Sequence, residues 1–240
     1  MHRAIVFGAT SGIGKRLTEI LIKNNYKVAV TGRRLAKLEE LANEYPDKVI
    51  FKQNDIQKVG EVEKVFNDIV QEFKEVHLIV QSSGVAYLNS ELDWGKEEDT
   101  ILTNVYGVTK LYDLAFNLFR KQGFGHLVGI SSIASIRGSR GAPSYFASKA
   151  YQKAYLESLY LKTKEISSSK VFITDIRPGF VDTAMAVGEG IFWLTPLDKA
   201  AEQIFKALKN KKRVAYVSKR WAIIAFVLKL MPTWILKKVF

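Results

Sequence analysis

The sequence predicts an α/β fold, a doubly wound parallel sheet in one domain over residues 1–240 with a short C-terminal helical extension. Short, almost wholly apolar runs alternate with helical patterns, and a glycine-rich turn joins the first run to the first helix. Runs that are apolar on both faces fit strands of a parallel sheet covered by helices on each side, not a sheet with one wet face. With 240 residues, 48% of them hydrophobic, the chain can bury a substantial core without dividing.

The elements follow in order. Ala4 to Phe7 reads as a strand, the turn Gly8-Ala-Thr-Ser-Gly12-Ile-Gly14 opens a helix from about Ile13 to Asn24, and Val28 to Val30 is a second strand. Leu35 to Glu44 reads as helix, Val49 to Phe51 as strand, Val59 to Phe73 as helix and Val76 to Val80 as strand. A long helix near Asp99 to Arg120, a strand at His126 to Ser131, a helix from Ser144 to about Ile166 and a strand at Val171 to Ile176 complete the alternation. Gly188-Glu-Gly190 reads as a loop within the domain. The first strand begins so early that no signal peptide is expected.

Composition removes several chemistries. There is no cysteine, so thiolate catalysis, disulfides and Cys-based metal or iron-sulfur sites are excluded, and a reducing, cytoplasmic location is expected. Three scattered histidines, His2, His77 and His126, give a metal little to bind, so an organic cofactor is expected. The net charge is +12, but residues 199–240 hold eleven Lys/Arg against one Glu, so +10 of the excess lies there. No nucleic-acid-binding motif accompanies it. In the segment of about 218–240 the basic residues interleave with Trp221, Ile223, Ile224, Phe226, Val227, Leu228, Trp234 and Ile235, a pattern suited to an anionic lipid surface, a subunit contact or a helix packed against the substrate pocket. Lys229 and Pro232 interrupt the apolar run before it reaches membrane-spanning length.

The chemistry concentrates in two places. Gly8, Gly12 and Gly14 lie between a strand and a helix, where backbone can approach a pyrophosphate and the helix start offers unpaired N–H donors. Tyr145 and Lys149 are four residues apart and share one face of a helix, where the ammonium can lower the phenol pKa. After the second strand stand Arg33 and Arg34 with no carboxylate, so a ribose 2'-phosphate suits the site and NADP(H) is preferred over NAD(H).

Five features in this order and spacing resemble the short-chain dehydrogenase/reductase family, single-domain branch, from Arg3 to roughly Asp182. They are Gly8 to Gly14; Asn54-Asp55-Ile56; Asn104; Ser132 with Tyr145-Phe-Ala-Ser-Lys149; and Arg177-Pro-Gly-Phe-Val-Asp-Thr183. The resemblance implies a Rossmann fold, carbonyl/alcohol redox chemistry and a homodimer or homotetramer. It implies that Gly8, Thr10, Ser11, Gly12, Ile13 and Gly14 cradle the cofactor phosphates, that Asp55 binds the adenine amino group with Ile56 packed beside it, and that Ser83 and Gly84 border the cofactor. Asn104 would bend its helix and hold a relay water toward Lys149, Ser132 would hold the substrate oxygen, and Tyr145 would give or take its proton. Lys149 would grip the nicotinamide ribose and stabilise the tyrosinate. Pro178 and Gly179 would line the nicotinamide, and Val181 and Thr183 would contact its carboxamide.

Two positions depart from the family pattern: Phe7 precedes the first glycine where a Thr is common, and Gln81-Ser-Ser-Gly84 replaces Asn-Asn-Ala-Gly. Both normally tie the cofactor loop to the sheet, so altered cofactor affinity or rigidity is expected. A lid over about 183–197, with Met185, Val187, Ile191, Phe192, Trp193 and Leu194, favours an apolar substrate, lipid-like or ring-containing. Arg137 or Arg140 could meet an anionic group on it. Two alternatives stay open: a non-catalytic NADP(H)-binding scaffold or sensor, and a membrane-surface protein whose basic C-terminus matters most.

Overall fold

A computed structural model describes residues 1–166, 170–186 and 192–239. Seven strands, β1 (His2–Phe7), β2 (Tyr26–Gly32), β3 (Val49–Gln53), β4 (Leu78–Gln81), β5 (Phe124–Ile130), β6 (Lys170–Pro178) and β7 (Val214–Val217), form one parallel sheet in the order β3-β2-β1-β4-β5-β6-β7. The interior strands are buried along most of their length, as their unbroken apolar character requires.

Helices cover both faces. On one side α1 (Gly12–Lys23), α2 (Leu35–Glu44) and α7 (Leu197–Lys209) pack with Val6, Val28, Val30 and Val128. On the other, α3 (Val59–Phe73), α5 (Val108–Gln122) and α6 (Pro143–Lys162) pack with Ile5, Phe7, Ile79 and Leu127. Alternate residues of one strand thus feed two cores. Strand order reverses between β1 and β4, whose register pairs Phe7 with Gln81, so the loops after both strands emerge together at a topological switch point.

The structure changes several expectations. The helix read over Asp99–Arg120 begins at Trp94 and changes winding around Asn104, where the resemblance implied a bend: α4 (Trp94–Ile101) passes into a π-helical stretch, Leu102–Gly107, before α5. The helix expected to reach Ile166 ends at Lys162, followed by a 3₁₀ turn, Thr163–Glu165. Helix α7 and edge strand β7 had no counterpart in the sequence reading. The C-terminal extension forms two short helices, α8 (Trp221–Leu230) and α9 (Thr233–Val239). Among the described residues no helix is long and apolar enough to cross a membrane. Gly188 to Gly190 lies outside the described residues.

Candidate active site

The glycine turn leaves the carboxyl end of β1 and folds back on the β4 loop. Gly8 has φ +83°, and a Cβ there would fall 2.6 Å from the Ser83 nitrogen; a Cβ on Gly14 would fall 2.2 Å from the Gly8 oxygen. Only glycine permits both approaches. The Thr31 carbonyl accepts from the N–H groups of Gly8 and Ala9, each at 3.0 Å. Gln81 Nε2 donates to the Ser83 carbonyl at 2.6 Å, and Ser82 N to the Phe7 carbonyl at 2.9 Å. The turn is therefore anchored to the sheet through β2 and β4 even with Phe7 and Gln81 in the departing positions.

The first turn of α1 points donors into this crevice. Ser11 precedes the helix without a side-chain cap, and no acid stands in its first turn, so the positive end of the helix is left for an anion. Arg34, at the start of α2, reaches across: its Nη2 donates to Thr10 Oγ1 and Ser11 Oγ, each at 2.7 Å. Arg33 is exposed on the same rim. Uncapped donors beside an exposed guanidinium fit a phosphate-bearing dinucleotide. Asp55, half-buried after β3, turns one oxygen to Gln57 N (3.2 Å), while Ile56 is buried.

Across the crevice, Ser132 lies two residues beyond β5 and accepts from Ala134 N at 3.1 Å through its hydroxyl. Tyr145, near the N-terminus of α6, shares a hydrogen bond with Ser132. Desolvation raises the phenol pKa above its ordinary value and the Ser132 bond works against it. Lys149 Nζ lies 5.9 Å from the ring centre and donates to the Ile130 carbonyl (3.0 Å) and Gln152 Oε1 (3.1 Å), so burial, not the lowering expected from the ammonium, sets the direction of the phenol's shift. Burial brings Lys149 down to about 8, with Asp175 pulling it back up.

Asn104 lies in the π-helical stretch and is fully buried. Its side chain pairs with the main chain of Val85, accepting at 2.9 Å and donating at 2.8 Å, and donates to Ser148 Oγ at 3.1 Å. Its carbonyl accepts from Gln152 Nε2 at 2.7 Å. The Gln152 amide therefore links the Asn104 main-chain carbonyl to Lys149. Gln152 was missed in the sequence, although its place three residues after Lys149 on one helix face was readable. Gly84 sits against both groups: a Cβ there would be 3.2 Å from Asn104 Oδ1 and 3.7 Å from Lys149 Nζ.

Behind Lys149, buried Asp175 accepts from Ser131 Oγ and from Arg177 Nε (2.6 Å), and Arg177 also donates to the Tyr216 hydroxyl at 3.1 Å. Burial raises the Asp175 carboxyl, against the pull of Arg177. The loop after β6 closes the site. Thr183 lies over the glycine turn, its Cγ2 3.4 Å from where a Gly12 Cβ would be, and Val181 is buried in a bridge to Thr195.

Gly179 is packed by Trp221 of the C-terminal segment. A Cβ on it would meet the Trp221 indole at 2.0 Å. Trp221 also touches Phe180, Phe192 and Trp193, with ring centres 5.6, 5.1 and 6.0 Å away. Of the lid residues, Met185, Phe192, Trp193 and Leu194 are exposed, and Val187 and Ile191 lie outside the described residues. Arg137, between Ser132 and Tyr145, is committed to the C-terminal segment. It donates to the carbonyls of Leu228 (2.7 Å), Lys229 (3.0 Å) and Met231 (2.6 Å), holding the end of α8, while Arg140 is exposed.

Residues 2–190 match the family model described as short chain dehydrogenase. An uncharacterized oxidoreductase of Staphylococcus aureus strain MRSA252 is 30% identical over 221 residues, covering 88% of this chain and 92% of its own length. Among solved structures, a short-chain dehydrogenase of Sphingobium yanoikuyae in complex with NADPH superposes with TM-score 0.81 at 19% identity, over 93% of this chain and 92% of that one. A short-chain dehydrogenase/reductase of Burkholderia phymatum in complex with NAD gives 0.84 at 17% identity, over 94% and 92%.

Proposed function

The chain belongs to the short-chain dehydrogenase family of oxidoreductases, and from that premise we propose that it transfers a hydride between NADP(H) and the carbonyl or alcohol group of an apolar, lipid-like or ring-containing substrate. Support comes from the meeting of Ser132, Tyr145 and Lys149 across the crevice from an uncapped helix start and a glycine turn. Arg34, bound to Thr10 and Ser11 on the rim, supports NADP(H) over NAD(H), because a guanidinium fork matches a 2'-phosphate.

Gly8, Thr10, Ser11, Gly12, Ile13 and Gly14 would hold the pyrophosphate, Arg33 and Arg34 the 2'-phosphate, and Asp55 and Ile56 the adenine. Ser83, Gly84, Pro178, Gly179, Val181 and Thr183 would border the nicotinamide end. When bound, the nicotinamide supplies or accepts the hydride. Ser132 and Tyr145 donate hydrogen bonds to the carbonyl oxygen, where negative charge builds during reduction, so they bind the transition state more tightly than the ground state. Tyr145 then gives its proton to that oxygen. Lys149, held by Ile130 and Gln152, offsets the phenolate charge, and Asn104 positions Lys149 through Gln152.

The apolar lid and the Trp221 cluster support an apolar substrate. The same reading has one catalytic domain acting as a homodimer or homotetramer in the cytoplasm, in keeping with the absence of cysteine and with exposed Trp94, Ile101, Leu102 and Tyr106 along α4 and the π-helical stretch. Spectrophotometric screening of NADPH and NADH against apolar and polar ketones tests it. NADPH should be consumed faster with the apolar ketones; a preference for NADH or for small polar carbonyls would overturn the corresponding part.

A further inference from the structure

Helix α8 is apolar on both sides, yet the fold uses only one. Trp221 and Ala225, one turn apart, face the body and are 2% and 4% exposed. On the outer side Ile223, Phe226 and Leu230 are 66%, 64% and 65% exposed, with Val227 between them, and Trp234 of α9 is 65% exposed. The helix is not loosely attached: Arg137 binds three carbonyls at its C-terminal end, and the Trp221 indole is locked against Gly179. The outer face is therefore a fixed feature of the folded chain, and so large an apolar face marks an interaction surface.

Charge selects the partner. Lys219, Arg220, Lys229, Lys237 and Lys238 flank the face, all exposed, and residues 219–240 contain no Asp or Glu. A two-fold contact with a second copy would bring these cations against their own images with no acid from the segment to pair them. A ten-residue helix rises about 15 Å, half of what spanning needs, so it would lie along a bilayer and not through it.

We propose that α8 and α9 form a docking face for an anionic lipid bilayer, with Ile223, Phe226, Leu230 and Trp234 entering the headgroup boundary and the five cations meeting lipid phosphates and carboxylates. The inference rests on the C-terminal geometry and is independent of the redox reading. Its test is co-sedimentation of the full chain with vesicles of phosphatidylcholine alone and with about 30% phosphatidylserine, a content that gives a strongly negative surface.

Binding should be at least about tenfold tighter to the anionic vesicles and should weaken as salt rises from about 0.1 to about 0.5 M. Phe226→Asn with Leu230→Asn should lose at least about tenfold with an unchanged circular dichroism spectrum, and Lys229→Glu about fivefold. Equal binding of native and variant protein, or no binding to anionic vesicles, overturns the proposal. So does concentration-dependent self-association that the double substitution abolishes while vesicle binding is absent.

Discussion

Lys149 should cost the fold stability at neutral pH, and the cost can be measured. Burial lowers its folded pKa from 10.5 to about 8. Between those values the unfolded chain holds a proton that the folded chain has released, so the unfolded state binds more protons and stability rises with pH across the window. Below about 8 both states are charged and the full penalty stands, ~3 kcal/mol for a shift of this size. From about pH 7.5 to about pH 9.5 linkage returns ~2 kcal/mol of it.

Other lysines and tyrosines titrate in the same range, so the quantity to follow is the difference between native protein and Lys149→Met. Denaturant unfolding at the two pH values gives it. Methionine keeps much of the volume and removes the titration, although the Ile130 carbonyl and Gln152 lose a donor. The native protein should gain ~2 kcal/mol relative to the variant over this interval. Parallel stability curves for the two proteins would refute the claim that Lys149 is held in a desolvated place.

Other substitutions probe the remaining parts. Arg34→Ala should weaken NADPH binding about 10- to 100-fold in a fluorescence titration and leave NADH nearly unchanged, since it removes charge-assisted bonds to a phosphate that only NADPH carries. Gly14→Ala would force a Cβ to within 2.2 Å of the Gly8 carbonyl; it should cost about 1–3 kcal/mol in unfolding experiments and depress dinucleotide affinity further. Arg137→Ala removes three bonds from the end of α8, and KM for neutral and anionic ketones should rise alike. A selective loss on the anionic ketones would instead assign Arg137 a substrate-binding role.

What the sequence disclosed follows from how local each signal is. Helices α2 and α3 have the bounds that their amphipathic patterns predicted, and the parallel sheet follows from strands apolar on both faces. The π-helical stretch is not legible in the local helical pattern, and only the resemblance, which implied a bend at Asn104, pointed there; the Asn104 side chain is committed to Val85 and Ser148 and its main-chain carbonyl to Gln152. Strand β7 is four residues long at the sheet edge and follows a run of lysines, which hides it from a periodicity argument. Tyr145, Lys149 and the glycine turn were legible because their spacing is short. The partners of Arg137 were not legible because they lie more than ninety residues away, and the sequence left the place of Trp221 open because nothing near it points to Gly179.

Replacing Tyr145 by phenylalanine deletes one oxygen from the crevice and leaves the glycine turn, Arg34 and Lys149 in place. With an apolar ketone that the native protein reduces, NADPH oxidation should fall by at least about 100-fold while NADPH affinity stays within a few-fold of native. Turnover at the native rate by Tyr145→Phe would contradict the assignment of the phenol as the proton donor.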